Sequence, residues 1–266
     1  MESDLEKIFR NLDQGKPELA KKKIYAIANT SNYFVREDLG KRLATYSGDN
    51  RYLDTICGEM LDDFLYGIRA TGLFYFYYKH QSQPEIIVKT IEKTFESVPW
   101  EAETLAFEMW KKQSETMKQF MPIWAESDNE KKRAISMHGM ENIANKNPQF
   151  VLNFVGSLLD DESEEVQKKI SHILTQVGRQ KPLQCYTTVR KWLLDADEKR
   201  IRTIWQTMKK LANIHKQRSK RDKSFDFMNV TQKTVQEWKS DPNPNVSSMG
   251  GKLAYIISKD NKSNSK

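Results

Sequence analysis

Residues 84–95 read PEIIVKTIEKTF, with Ile87, Ile91 and Phe95 every four positions and Glu92 and Lys93 between them. That spacing stacks the three apolar side chains on one helical face and turns the charged pair away from it. Most of the chain carries the same period. In EMLDDFLYGIRATGLFYFYYKH, Met60, Phe64 and Ile68 lead into an aromatic run at 74–78. The run alone would suit a strand, but its periodic lead-in and its length predict a buried helix. No paired segments alternate apolar and polar residues, and no Asn-Gly turn joins two such runs. The pattern predicts an all-α protein.

A weak repeat organises these helices. SDNEKKRAISMHGMENIANKNP is followed by DDESEEVQKKISHILTQVGRQKP and then by DADEKRIRTIWQTMKKLANIHK. Each begins with an acidic capping loop, turns basic and enters an amphipathic helix. The first two end at Asn-Pro or Lys-Pro, which opens a second helix, QFVLNFVGSLL or LQCYTTVRKWLL. One helix pair occupies about 34 to 35 residues, between the tetratricopeptide and HEAT periods, and the tetratricopeptide signature is missing. SNYFVREDLGKRLATYSG has the same form near the start, and Asp241 precedes Val246 by the interval that separates Asp161 from Val166. The expected fold is an α-α superhelix, a HEAT-like repeat solenoid of about six helix pairs, curved with a concave basic face. An irregular helical bundle is the alternative. One domain should span 1–258, with an exposed basic connector near 215–224 (HKQRSKRDKS) and a disordered tail at 259–266.

Composition narrows the function. The 266 residues are 38% hydrophobic and 30% charged, with a net charge of +7 and a pI near 9.1. A basic balance favours an anionic partner, nucleic acid first. Cys57 and Cys185 belong to no metal-ligand spacing and read as reduced thiols of a cytoplasmic protein. The first residues are acidic and mixed, unlike a signal or transit peptide. No apolar run approaches the roughly 20 residues a membrane helix needs. A soluble, cytoplasmic monomer is expected.

The repeat starts carry the charge. Lys131, Lys132 and Arg133, then Lys168 and Lys169, then Lys199, Arg200 and Arg202 occupy first helical turns, where cations oppose the helix dipole. On one face they would form a basic stripe beside helix N-termini, suited to a phosphate backbone. Ordinary solvated charge, balanced by Asp128, Glu130, Asp161, Glu164 and Asp197, is the other reading. His80, His138, His172 and His215 form no metal motif, and no phosphate-binding glycine loop or nucleophile elbow is present. Neither a metal nor a cofactor is expected.

Residues 98–110, VPWEAETLAFEMW, place acidic and aromatic groups together in this basic chain. With FMPIWAESDNEKKRAISMHGMENIANKNP downstream, the segment resembles the HEAT-like-repeat DNA alkylation-repair glycosylases, AlkD-like and AlkC-like. The resemblance spans roughly residues 60 to 215 and is most specific at 98–136. It implies a protein that holds double-stranded DNA and excises cationic alkylated purines of the N3-methyladenine or N7-methylguanine type, without a metal. On that resemblance Trp100 matches a cleft tryptophan and Arg133 an arginine on the DNA backbone. Thr104 stands where the AlkD-like pattern has its catalytic aspartate, Glu103 fits the AlkC-like glutamate, and His172 falls near the second cleft tryptophan. Some members bind DNA without excising bases, so a non-catalytic protein recognising damaged or branched DNA is the second expectation, and a protein-binding solenoid the third.

The chemistry is coherent independently of the resemblance. A cationic alkylpurine is already a good leaving group, and it needs an aromatic face and a carboxylate for the developing oxocarbenium ion. Trp100 with Glu101 or Glu103 supplies both groups, and excision with Glu103 as the electrostatic carboxylate and Trp100 as the aromatic wall is the first expectation. The two glutamates, two residues apart, cannot share a helical face. Alternatively Trp100, Phe107 and Trp110 are core, and the glutamates are helix-start charges after Pro99. Trp124, Trp192 and Trp205 read as core.

Overall fold

The computed structural model describes residues 2–48, 51–219 and 226–258. Among them are helices and turns and no strand, as the four-residue period requires. No described helix is long and apolar enough to cross a membrane. The chain forms two compact units, Met1–Phe120 and Met121–Lys266.

The first unit contains α1 (Glu2–Asp13), α2 (Pro17–Ala28), α3 (Tyr33–Ala44), α4 (Arg51–Met60), α5 (Tyr66–Lys79), α6 (Pro84–Thr94) and α7 (Pro99–Lys112). Helices α3, α5 and α7 pack in succession as one layer, with α4 and α6 also against α5. The aromatic run lies in α5, where Phe74, Tyr75 and Tyr77 are buried. Two glycines permit the close contacts of this layer. A Cβ on Gly40 of α3 would lie 2.6 Å from the Phe74 Cβ, and one on Gly67 of α5 would lie 2.5 Å from the Ala28 carbonyl oxygen.

Helix α8 (Ser114–Ala125) carries the chain from the first unit into the second. There follow α9 (Glu130–Ser136), a 3-10 turn at Met140–Asn142, α10 (Pro148–Ser157), α11 (Glu164–Gln180), α12 (Pro182–Leu194), α13 (Glu198–Ser219), α14 (Asp226–Lys239) and α15 (Pro244–Ser258). Helices α9, α11, α13 and α15 pack in succession as one layer, and α10, α12 and α14 as another. Each helix buries its periodic stripe on both neighbours, which is the packing of an α-α repeat. Pro148 and Pro182 open α10 and α12 at the first helical position, where a missing amide proton is harmless.

The repeat is also visible in the hydrogen bonds. Arg36 donates to the Thr30 carbonyl at 2.9 Å, Arg69 to that of Asp63 at 2.6 Å and Arg133 to that of Ser127 at 2.8 Å. Gln167 does the same to Asp161 at 2.8 Å. Every one of these bonds reaches back six residues, from the first turns of a helix into the loop before it. The loop residue's own side chain accepts from the amide two residues ahead: Thr30 from Asn32, Asp63 from Leu65, Ser127 from Asn129 and Asp161 from Ser163. Asp241 accepts from Asn243 in the same way. The loops thus satisfy backbone groups that helix starts leave unpaired.

One sequence expectation changes here. The basic segment near 215–224 is not wholly a connector, because α13 continues through Ser219 and His215 is buried against the Phe227 ring. The apolar period of α13 persists beneath its basic residues. Residues 220–224 and the expected tail at 259–266 lie outside the described residues. Trp110, Trp124 and Trp238 are buried, whereas Trp100 is 72% exposed.

Candidate functional site

Three helix starts in the first unit converge on one cavity. Tyr33 and Phe34 open α3, Tyr66 opens α5, and Trp100 and Glu101 follow Pro99 at the start of α7. With Ser31, Arg36 and Thr104 they line a space of about 590 Å³, within the roughly 300–1,000 Å³ of small-molecule sites. The Asn32 side chain fixes the start of α3 by accepting from the Phe34 and Val35 amides at 3.0 and 3.4 Å. No side chain caps the start of α7.

Phe34 is 76% exposed and Trp100 72%, unusual for rings of this size. Each precedes buried residues of its own helix by five and nine positions: Leu39 and Leu43 after Phe34, Leu105 and Met109 after Trp100. At 100° per residue both rings therefore point away from their buried stripes. Tyr33 meets Phe34 edge-on at 5.5 Å and Phe74 at 5.4 Å, which ties the exposed ring to the core. Burial, with Glu37 nearby, pushes the Tyr33 hydroxyl up to about 12.

The floor of the cavity is a polar network centred on Glu101. Glu101 is wholly buried, and its two oxygens accept from different partners. The Arg36 guanidinium pairs with one of them. The Tyr66 hydroxyl donates to the other at 2.5 Å. Burial, reinforced by the bond to Glu101, pushes the Tyr66 hydroxyl up to about 12, so Tyr66 keeps its proton at neutral pH. Arg36 also lies 5.6 Å from the Tyr66 ring centroid, a cation–π distance. One arginine thus bridges a carboxylate, a ring and the Thr30 carbonyl.

Of the acidic and aromatic residues singled out in the sequence, Trp100 and Glu101 line the cavity together, and Thr104 joins them. Glu103 is half-buried and is not among the lining residues. The Thr104 hydroxyl donates to the Trp100 carbonyl at 2.9 Å, inside its own helix. Sequence reasoning missed Tyr33, Phe34, Arg36 and Tyr66. A signal was present, because Phe34 and Trp100 are large rings set off the apolar stripe of their helices.

The basic residues of the repeat starts all belong to the second unit, and many are engaged. Arg133 donates to both Asp161 oxygens, at 2.6 and 3.1 Å, and to the Ser127 and Asp128 carbonyls. Arg200 pairs with Asp160, and Lys199 donates to the Asp160 carbonyl at 2.7 Å. The Lys169 ammonium lies 2.6 Å from His138 Nδ1, and Lys132 sits over the Trp124 ring at 5.7 Å. Lys131, Lys168 and Arg202 are exposed, with Lys168 3.6 Å from Glu164. His172, near the resemblance's second tryptophan position, is exposed and lies 3.4 Å from Glu141.

A family model described as DNA alkylation repair enzyme matches residues 32–212, about two thirds of the chain. The chain belongs to the DNA alkylation repair enzyme family. Its role therefore lies in DNA repair, and DNA is the partner that membership indicates. The matched span begins at Asn32, the cap of α3, and takes in every cavity-lining residue but Ser31. Two solved structures share the fold. One is smu.31 from Streptococcus mutans UA159, with a TM-score of 0.57 and 18% identity over 70% of this chain and 96% of that one. The other is AlkD2 from Streptococcus mutans, with a TM-score of 0.56 and 18% identity over 74% of this chain and 98% of that one. A search of curated proteins finds no significant match. Glu101 is the carboxylate among the described residues that line this cavity.

Proposed function

We propose that this member of the DNA alkylation repair family binds duplex DNA and recognises damaged or branched sites through its aromatic cavity, without cleaving the glycosidic bond. One observation carries this reading: Glu101, the one carboxylate among the described residues that line the cavity, is 0% exposed and has both oxygens engaged. Stabilising an oxocarbenium ion requires uncompensated negative charge aimed at the ring. The Arg36 pair cancels the charge, and the Tyr66 proton occupies the second oxygen. Glu103 lies outside the cavity lining, and Thr104 carries no charge. The aromatic wall is complete, but the electrostatic half of the excision chemistry is absent.

The test joins two measurements on the full-length chain. Single-turnover base release is followed from duplexes carrying N3-methyladenine or N7-methylguanine, and binding to the same duplexes is titrated between 50 and 200 mM salt. The expected result is binding without release, with affinity falling by on the order of a thousandfold across that range if six or more phosphates are contacted. Release by the wild type that is lost in Glu103→Gln or Glu101→Gln, with DNA binding intact, would overturn the proposal and restore excision. A flat salt response would remove DNA as the ligand.

A further inference from the structure

We infer that the cavity takes an unpaired, uncharged nucleobase, stacked against Trp100 and Phe34, so that the protein prefers DNA with a base outside the duplex stack. The inference rests on the DNA-binding reading above and names what the cavity holds. Two observations select a neutral planar ligand over a cation. First, the carboxylate and the Tyr66 ring are already taken by Arg36, which pairs with Glu101 and faces that ring. An incoming ammonium or alkylpurine cation would find no free carboxylate among the described lining residues. Second, Trp100 and Glu101 lie in the first turn of α7, whose start has no side-chain cap. The positive end of that helix dipole disfavours a cation and favours a group with a phosphate beside it.

The rings provide what a base needs. Phe34 and Trp100 are each more than two-thirds exposed and stand on different helices around the same 590 Å³ space. Tyr33 braces Phe34 from behind, so the platform is formed before a ligand arrives. Stacking accepts any base because every base has a π face. A fully paired duplex keeps its bases stacked on one another and offers no free face to these rings. With both Glu101 oxygens taken by Arg36 and Tyr66, shape and stacking rather than a carboxylate contact define the ligand.

The experiment compares wild type, Phe34→Ala, Trp100→Ala and Trp100→Phe on two hairpin duplexes. They are identical except that one carries a single bulged adenine. Both side chains are exposed, so the alanine variants should fold as the wild type does, checked by circular dichroism. Wild type should favour the bulged duplex. Each alanine variant should lose about 5- to 150-fold on the bulge, the range for stacking worth about 1–3 kcal/mol per base, and little on the paired duplex. Trp100→Phe should retain most of the preference. With 2-aminopurine as the bulged base, emission should fall on binding to wild type and fall less with Trp100→Ala. Equal affinity of wild type for both duplexes would overturn the inference while leaving the DNA-binding reading intact. Failure to bind either duplex would overturn both. Displacement of the bulged duplex by millimolar tetramethylammonium, beyond the effect of sodium at equal ionic strength, would show a cation cage instead.

Discussion

The Arg36–Glu101 pair gives the sharpest test of the cavity floor. The two side chains are 7% and 0% exposed, so removing one partner strands the other charge in a poorly solvated place. Breaking such a buried pair costs about 3–5 kcal/mol. Arg36→Met should fall in this range, since it also removes the bond to the Thr30 carbonyl, worth about 1 kcal/mol net. Glu101→Gln should cost less than Arg36→Met, because the amide oxygen can still accept from Arg36. The double variant leaves no unpaired charge and should cost well under the sum, with a coupling energy of about 2–3 kcal/mol. Urea unfolding followed by far-UV circular dichroism and tryptophan fluorescence reads these values. With a slope near 2 kcal/mol per molar, Arg36→Met should move the midpoint of the transition that includes the first unit by on the order of 2 M. Singles that each cost under about 1 kcal/mol and simply add would refute the network. Glu101 would then be free to act on a bound base, and excision would be open to this cavity again.

Three further outcomes follow from the packing and the charges. Gly67→Ala places a Cβ against the Ala28 and Thr30 carbonyl oxygens and should cost about 1–3 kcal/mol. Gly58→Ala in α4 meets nothing within 4 Å and should stabilise by about 0.4–1 kcal/mol; thermal melts that move the same way for both would contradict this. Burial opposes ionisation of Asp161, but hydrogen bonds from Arg133 and the Ser163 amide outweigh it and hold the carboxyl below its usual value. A depressed carboxylate stabilises the fold above the unfolded value near 3.9 and loses that contribution as pH falls through the folded one. Arg133→Gln should accordingly lower stability at neutral pH and raise the acid-unfolding midpoint, which an unchanged acid titration would disprove. Burial lowers the pKa of His215, against a smaller opposing pull from the Met228 backbone. Its contribution is therefore present above pH 6.5 and lost as pH falls below that toward the depressed folded value. His215→Phe should flatten the stability profile between pH 5 and 7, and a profile as steep as the wild type's would dismiss the histidine as its source.

The helices and their repeat were legible because a four-residue period and Pro-opened helices are local signals. The interval linking Asp161 to Val166 marked a real device, since Asp161 anchors the loop that Gln167 reaches back to. The site was half legible. Trp100, Glu101 and Glu103 stood out as aromatic and acid in one short segment, with Glu103 the first choice of carboxylate. Their partners did not, because Arg36 lies 65 residues from Glu101 and only packing of α3, α5 and α7 joins them. The choice between Glu101 and Glu103 was closed to periodicity alone, which says that the two diverge but not which faces inward. The pairing of the basic residues was hidden for a related reason. Sequence shows that Arg133 is charged, but not that Asp161, 28 residues on, already holds it.

The six-residue stitches bear on how the chain comes off the ribosome. Each joins a loop to the helix start that follows it, so it closes as soon as that turn has emerged, and so short a loop has little closure entropy to lose. Contacts of such short range favour fast folding, and domains generally fold as units, N-terminal first, during synthesis. The α2–α3 loop, pinned by Arg36, is therefore set before α7 is translated. Glu101 then arrives at an arginine already held in position. The last-made partner docks onto a finished socket, and the aromatic rim around it is assembled in the same step.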